Sequence, residues 1–130
     1  MTKSEYNNLT EQIIGAAIEV HRELGPGLLE SVYETCLIKE LKRCGLRVES
    51  QVLLPVVYKG EVLEKEFFID LLVENVIVVE LKAVEVILPI HEVQLVTYLK
   101  LSDKRLGLLL NFNITVLKDG IRRKVNNLPE

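Results

Sequence analysis

The sequence predicts an α/β (α+β mixed) fold, a mixed β-sheet flanked by helices. Three observations carry this expectation. Two helical patterns come first, then three strand-like runs, a third helix, a further strand and a terminal hairpin, summarised as the order α-α-β-β-β-α-β-β. The run Val76-Ile77-Val78-Val79 shows no apolar–polar alternation, as expected of a central strand covered on both faces. A helix separates that run from Leu106-Gly107-Leu108-Leu109-Leu110, so the two strands are expected side by side in parallel, joined by a right-handed crossover.

Taken in order, residues 1–9 are polar and read as a frayed end. Thr10 is placed to cap a helix from Glu11 to about Leu24, with Ile13, Ile14, Ala17, Ile18 and Leu24 as its buried face. His21 falls on that face and reads as a hydrogen-bonded core or boundary histidine rather than a ligand. Gly25-Pro26-Gly27 ends the helix and turns the chain. A second helix is expected from Leu28 to about Cys44, closed by Gly45, with Val32, Cys36, Leu37 and Leu41 as its apolar stripe. Glu30 borders that stripe, lying within roughly 60° of Tyr33 and Leu37. A carboxylate there either stabilises the first helical turn or points a further acid at a site.

Arg47 to Tyr58 reads as a strand bent or placed at an edge by Pro55. Lys59-Gly60 makes a turn, and Glu61–Val73 and Val76–Lys82 complete a meander. Ala83–Leu88 leads to Pro89, the first residue of a helix running to about Leu101. On it, His91, Gln94 and Tyr98 form one polar stripe, while Leu95, Val96 and Leu99 point into the core. Ile114–Leu117 and Ile121–Val125, around Lys118-Asp119-Gly120, read as a terminal hairpin, and Asn126–Glu130 as a frayed tail.

The chemistry concentrates between Asp70 and Lys82. Glu80 and Lys82 share one strand face, and Leu81 points to the other. Charges at the end of a buried strand need partners, because an unpaired buried charge costs several kcal/mol. The reach of Asp70 depends on the turn. A two-residue turn at Glu74-Asn75 pairs Val73 with Val76 and leaves Asp70 opposite Val79, with Glu80 on the other face. A three-residue loop, or one bulge, brings Asp70 opposite Glu80. If the two acids form one site, the hairpin must carry that odd residue. The alternative is a solvated ion pair between Glu80 and Lys82.

At 130 residues the chain is expected to be one domain, 1–130, with a real core. No basic-then-apolar leader opens it, and no stretch is apolar enough to span a bilayer, so a cytoplasmic protein without a membrane partner is expected. Cys36 and Cys44 lie about 12 Å apart along a helix, too far for a disulfide, and read as reduced thiols. No Cys/His metal-ligand spacing occurs. The net charge of −3 does not advertise a nucleic-acid binder. Carboxylates of a metal site nevertheless count as negative until the ion reverses the local sign. Lys39/Lys42/Arg43, Lys100/Lys104/Arg105 and Arg122/Arg123/Lys124 read first as solvated surfaces.

Asp70 followed ten residues later by Glu80-Leu81-Lys82 resembles the arrangement of the PD-(D/E)XK nuclease superfamily. Gly27-x-x-Glu30-x-x-Tyr33 resembles the signature of the small GxxExxY proteins, a branch of that superfamily. The likeness continues through Ile69–Glu74, Val79–Ala83, His91–Gln94, Tyr98–Lys100 and Leu106–Phe112, and covers about residues 11–125. One departure is Phe68-Ile69 before Asp70, with no proline.

The resemblance implies a restriction-endonuclease-like sheet and a metal-dependent nuclease acting on DNA or RNA. It implies Asp70, Glu80 and the Leu81 carbonyl as ligands of Mg²⁺ or Mn²⁺, with Glu30 close to the ion. Lys82 matches the superfamily lysine, which orients water or stabilises phosphate charge. Gln94 and Tyr98 are similar to the Gln-x-x-x-Tyr element that holds the nucleic-acid backbone. Two other readings stand beside this one: a non-catalytic nucleic-acid- or protein-binding module retaining the fold, and a homodimer assembled through exposed strands or helices.

Overall fold

The computed structural model describes residues 1–130. Three helices, α1 (Lys3–Leu24), α2 (Glu30–Arg43) and α3 (Pro89–Ser102), pack on a sheet of β1 (Val48–Tyr58), β2 (Glu61–Val73), β3 (Ile77–Lys82), β4 (Leu106–Asn111) and β5 (Ile121–Val125). The spatial order of the five strands follows the chain, β1-β2-β3-β4-β5. β3 and β4 are parallel, as expected, from Ile77 opposite Leu106 to Lys82 opposite Asn111, and α3 connects them. The α/β expectation therefore holds. β1 is an edge strand, and its register with β2 shifts between Pro55 and Val57.

The sheet is covered on both faces, which explains the unalternating runs. Under α1 and α2 lie Leu71, Val73, Ile77, Val79, Leu81, Leu106, Leu108 and Leu110. Under α3 lie Leu54, Ile69, Leu72, Val78 and Leu109, with Leu95 and Leu99 of the helix. Gly107 permits this close approach: a Cβ there would stand 2.8 Å from Leu95 Cδ1.

Three expectations are corrected. First, α1 starts at Lys3 and not at Glu11, so residues 3–9 are helix and not a frayed end. Thr2 and Glu5 form a reciprocal capping box, at 3.1 and 3.2 Å. Tyr6 and Leu9 extend the apolar face through Ile13, Ala16, Ala17 and Val20, so Thr10 is buried inside the helix and caps nothing. Ile18 and Leu24, expected inside, are exposed. Second, α2 turns Tyr33, Leu37 and Leu41 inward and leaves Val32 exposed. Third, no terminal hairpin forms. Leu117–Gly120 is a single 3-10 turn, and β5 pairs antiparallel with β4, Leu110 facing Ile121. The return to β4 satisfies backbone groups along a buried strand, which a detached hairpin would leave unpaired.

Tyr33 joins these layers. Its ring stacks on Phe112 with centroids 4.6 Å apart. Its hydroxyl donates to Gly25 O at 2.6 Å and accepts from Leu28 N at 3.1 Å, which pins the Gly25–Leu28 turn ahead of α2. Tyr33→Phe keeps the stack and strands both backbone groups. A loss of about 1–3 kcal/mol is expected in urea unfolding. His21 donates to or accepts from no acid; its Nε2 lies 2.7 Å from Ile114 O, as expected of a boundary histidine.

Candidate active site

The register of the β2–β3 hairpin decides whether the two acids meet. Val73 pairs with Ile77, Leu72 with Val78 and Leu71 with Val79. Glu74-Asn75-Val76 is thus a three-residue loop, with Glu74 and Asn75 in the left-handed region at φ 52° and 58°. This is the odd residue that a shared site requires. Glu74 also ties the loop down, its Oε2 accepting from Arg47 N at 2.6 Å.

Continuing that register sets Asp70 opposite Glu80, where the backbone ladder gives way to side chains. Asp70 N donates to Glu80 Oε1 at 3.3 Å, and Leu81 N donates to Asp70 Oδ2 at 2.9 Å. The strands part here and the two carboxylates occupy the gap. Leu81 N–H points toward β2, and by strand geometry its C=O faces the same edge. Lys82 O points the other way, accepting from Phe112 N at 2.9 Å. The chain beyond Lys82 is clamped by buried Asn111, whose Oδ1 accepts from Val84 N at 3.0 Å and whose Nδ2 donates to Val84 O at 2.9 Å. Asn111 lies within the Leu106–Phe112 stretch of the resemblance, which gave it no role of its own.

Glu80 is 9% exposed. Burial, the Asp70 charge and the contact between the two carboxyl side chains push its carboxyl up to about 9, with the Asp70 backbone N–H and Lys82 acting in the opposite sense. Glu30, at the first turn of α2, is also raised, first by burial and then by the Asp70 charge, while Lys82 lowers it. The Tyr98 hydroxyl is raised by burial and by the charges of Glu80 and Asp70; the Gln94 side chain acts against this. Asp70, Glu80, Lys82, Glu30 and Tyr98 therefore share one electrostatic environment. No three His, Cys, Asp or Glu side chains converge as a ready cage, so Glu30 flanks the Asp70–Glu80 pair without completing a triad.

The polar stripe of α3 does face the site. Lys82, His91, Gln94 and Tyr98 line one cleft of about 610 Å³, whose far wall is Val56 and Phe67 of the β1–β2 arm. His91 is already engaged: its Nδ1 accepts from Leu88 N at 3.1 Å and caps the start of α3. Of the basic groups, Lys124 and Arg122 are drawn to Glu92, at 2.8 and 4.0 Å, and Arg43 to Glu40 at 3.1 Å.

Two residues at the site were not anticipated. Gln51 Nε2 donates to Glu34 Oε1 at 3.0 Å and lies 3.5 Å from Asp70 Oδ1. Glu34 stands one helical turn from Glu30, a spacing legible in the sequence. Gln51 offered no such signal, because its position follows from pairing with β2.

The residues present suit a hard divalent cation. Two adjoining carboxylates and one backbone carbonyl are oxygen donors, and Mg²⁺ commonly binds through one or two carboxylates with waters completing its shell. A cation held by these acids would relieve the confinement that raises Glu80. No helix is long and apolar enough to cross a membrane. Comparison with curated proteins finds no match, and neither does comparison with solved structures. A family model for the PD-(D/E)XK nuclease superfamily matches residues 7–124. With Asp70, Glu80 and Lys82 gathered at one end of its mixed sheet, the chain belongs to the PD-(D/E)XK nuclease superfamily.

Proposed function

We propose that this chain is a metal-dependent phosphodiesterase acting on DNA or RNA, from the GxxExxY branch of the superfamily, folded as one domain. The observation that carries the reading is the three-residue hairpin loop, which sets Asp70 against Glu80 where the ladder opens. The branch assignment is supported by the motif Gly27-x-x-Glu30-x-x-Tyr33, in which Tyr33 holds the turn and Glu30 stands beside the acids.

Asp70, Glu80 and the Leu81 carbonyl would hold Mg²⁺ or Mn²⁺, and Glu30 would support the ion directly or through water. When bound, the cation offsets phosphate charge and eases ionisation of the attacking water. Lys82 shares a strand face with Glu80 and offers its ammonium donors to that water or to a phosphate oxygen. Gln94 and Tyr98 hold the scissile strand along the cleft. Free Cys36 and Cys44 support a reducing, cytoplasmic setting.

The test is cleavage of single- and double-stranded DNA and RNA with Mn²⁺ or Mg²⁺, by wild type and Lys82→Met. Metal-dependent cleavage is expected, reduced roughly 10²–10³-fold in Lys82→Met, with Mn²⁺ still bound. Equal cleavage by the variant, or cleavage in EDTA, overturns the assignment.

One observation favours a second reading. Val57, Tyr58, Val62, Phe67 and Phe68 are exposed along the β1–β2 arm. Such a surface suits assembly as a homodimer or a non-catalytic binding module. That reading expects nucleic-acid or protein binding that survives Glu80→Gln and no cleavage of any substrate.

A further inference from the structure

Two neighbouring strands break their side-chain alternation at the same place. On β2, Leu71 and Val73 lie under α1 and α2, whereas Ile69 lies under α3. A regular strand sends all three to one face. On β1, Val48 packs with the first core and Val52 with the second, although an interval of four should keep them together. The residues at the switch are Asp70 and Gln51. They face each other, since Ser50 pairs with Leu71 and Val52 with Ile69. Gln51 has φ 51° in mid-strand, a left-handed conformation that disfavours any residue with a Cβ.

The Gln51 side chain gives this irregularity a purpose. Its amide bridges Glu34, at 3.0 Å, and Asp70 Oδ1, at 3.5 Å. The other Asp70 oxygen accepts from Leu81 N at 2.9 Å. The carboxylate is therefore held from both sides, by the β3 backbone and by an amide that α2 anchors.

We infer that Gln51 is a positioning residue for the metal-binding carboxylate of Asp70, acting through its amide and anchored by Glu34. The inference rests on the reading of Asp70 and Glu80 as a metal site. Gln51 is exposed and contributes nothing to either core, so its removal leaves the packing intact.

The test is Mn²⁺ titration by calorimetry, with metal-free thermal melts, on wild type, Gln51→Gly and Gln51→Met. Glycine accepts the left-handed backbone and lacks the amide. Methionine keeps the length and lacks the donor. Both variants are expected to bind Mn²⁺ tenfold or more weakly, with Gln51→Gly melting within a few degrees of wild type. A merely structural role would move the melt and not the affinity. Wild-type affinity in both variants, within about twofold, overturns the inference while leaving the metal site standing. Absence of Mn²⁺ binding by the wild type overturns the metal reading and this inference together. Should Gln51→Met fail to fold, Gln51→Gly decides alone.

Discussion

Asp70→Asn is expected to lower Mn²⁺ affinity roughly hundredfold or more and to reduce cleavage to background. The substitution preserves shape and changes two things. It removes one of the two carboxylates proposed to hold the cation. It also replaces an acceptor by an NH₂ group in a place where both oxygens meet donors, Leu81 N–H at 2.9 Å and Gln51 Nε2 at 3.5 Å. Either orientation of the amide sets a donor against a donor. Calorimetry with Mn²⁺, nuclease assays on the same samples and a thermal melt separate loss of the site from loss of the fold. Unchanged Mn²⁺ affinity in a folded variant would mean that this acid pair is not the metal site.

The second large effect is a pH dependence of stability centred on Glu80. In the unfolded chain its carboxyl titrates near 4.5; in the folded, metal-free protein it is pushed up to about 9 by burial and by Asp70. Because the folded value is the higher one, the folded state holds the proton more tightly. The stabilisation linked to that proton is full below about 4.5 and is lost as pH rises toward about 9. The groups facing Glu80 are Asp70, Lys82 and Tyr98; the Asp70 backbone N–H and the Lys82 charge oppose the shift. The melting temperature of metal-free protein is therefore expected to fall from pH 5 to pH 9, by an amount worth a few kcal/mol. Glu80→Gln is expected to flatten that slope and to melt above wild type at pH 9. Mn²⁺ should restore wild type but not the variant. Calorimetry at pH 7 should find a proton released on Mn²⁺ binding, read as a dependence of the enthalpy on the buffer's own ionisation heat. A flat metal-free profile in wild type would show that Glu80 is ionised throughout and that the acids are not confined as described.

The parts of the fold that were legible in the sequence share one property: short-range chemistry encodes them. Pro89 opens α3, Gly45 follows the end of α2, and the runs at Ile77–Leu81 and Leu106–Leu110 lie buried on both faces of the sheet. The start of α1 was missed because Thr10 resembles a cap as well as Thr2 does. What separates them is that Tyr6 and Leu9 find a core to enter. The terminal hairpin failed for a related reason. Ile121–Val125 reads as a strand locally, and only the unpaired edge of β4 determined its partner.

By itself the sequence determined the element order, the two-sided sheet and the acid–acid–lysine set at Asp70, Glu80 and Lys82, because residue type and apolar period are properties of neighbours along the chain. It also reduced the meeting of Asp70 and Glu80 to a choice between two loop lengths. Only the tertiary structure made that choice, admitting Val76 to the loop so that Val73 meets Ile77. It likewise placed Gln51 opposite Asp70, set Glu34 behind it and turned Gln94 and Tyr98 toward Lys82. The physical reason is that register and a left-handed φ at a residue such as Gln51 are sustained by contacts between strands and helices distant in sequence, which no local pattern records.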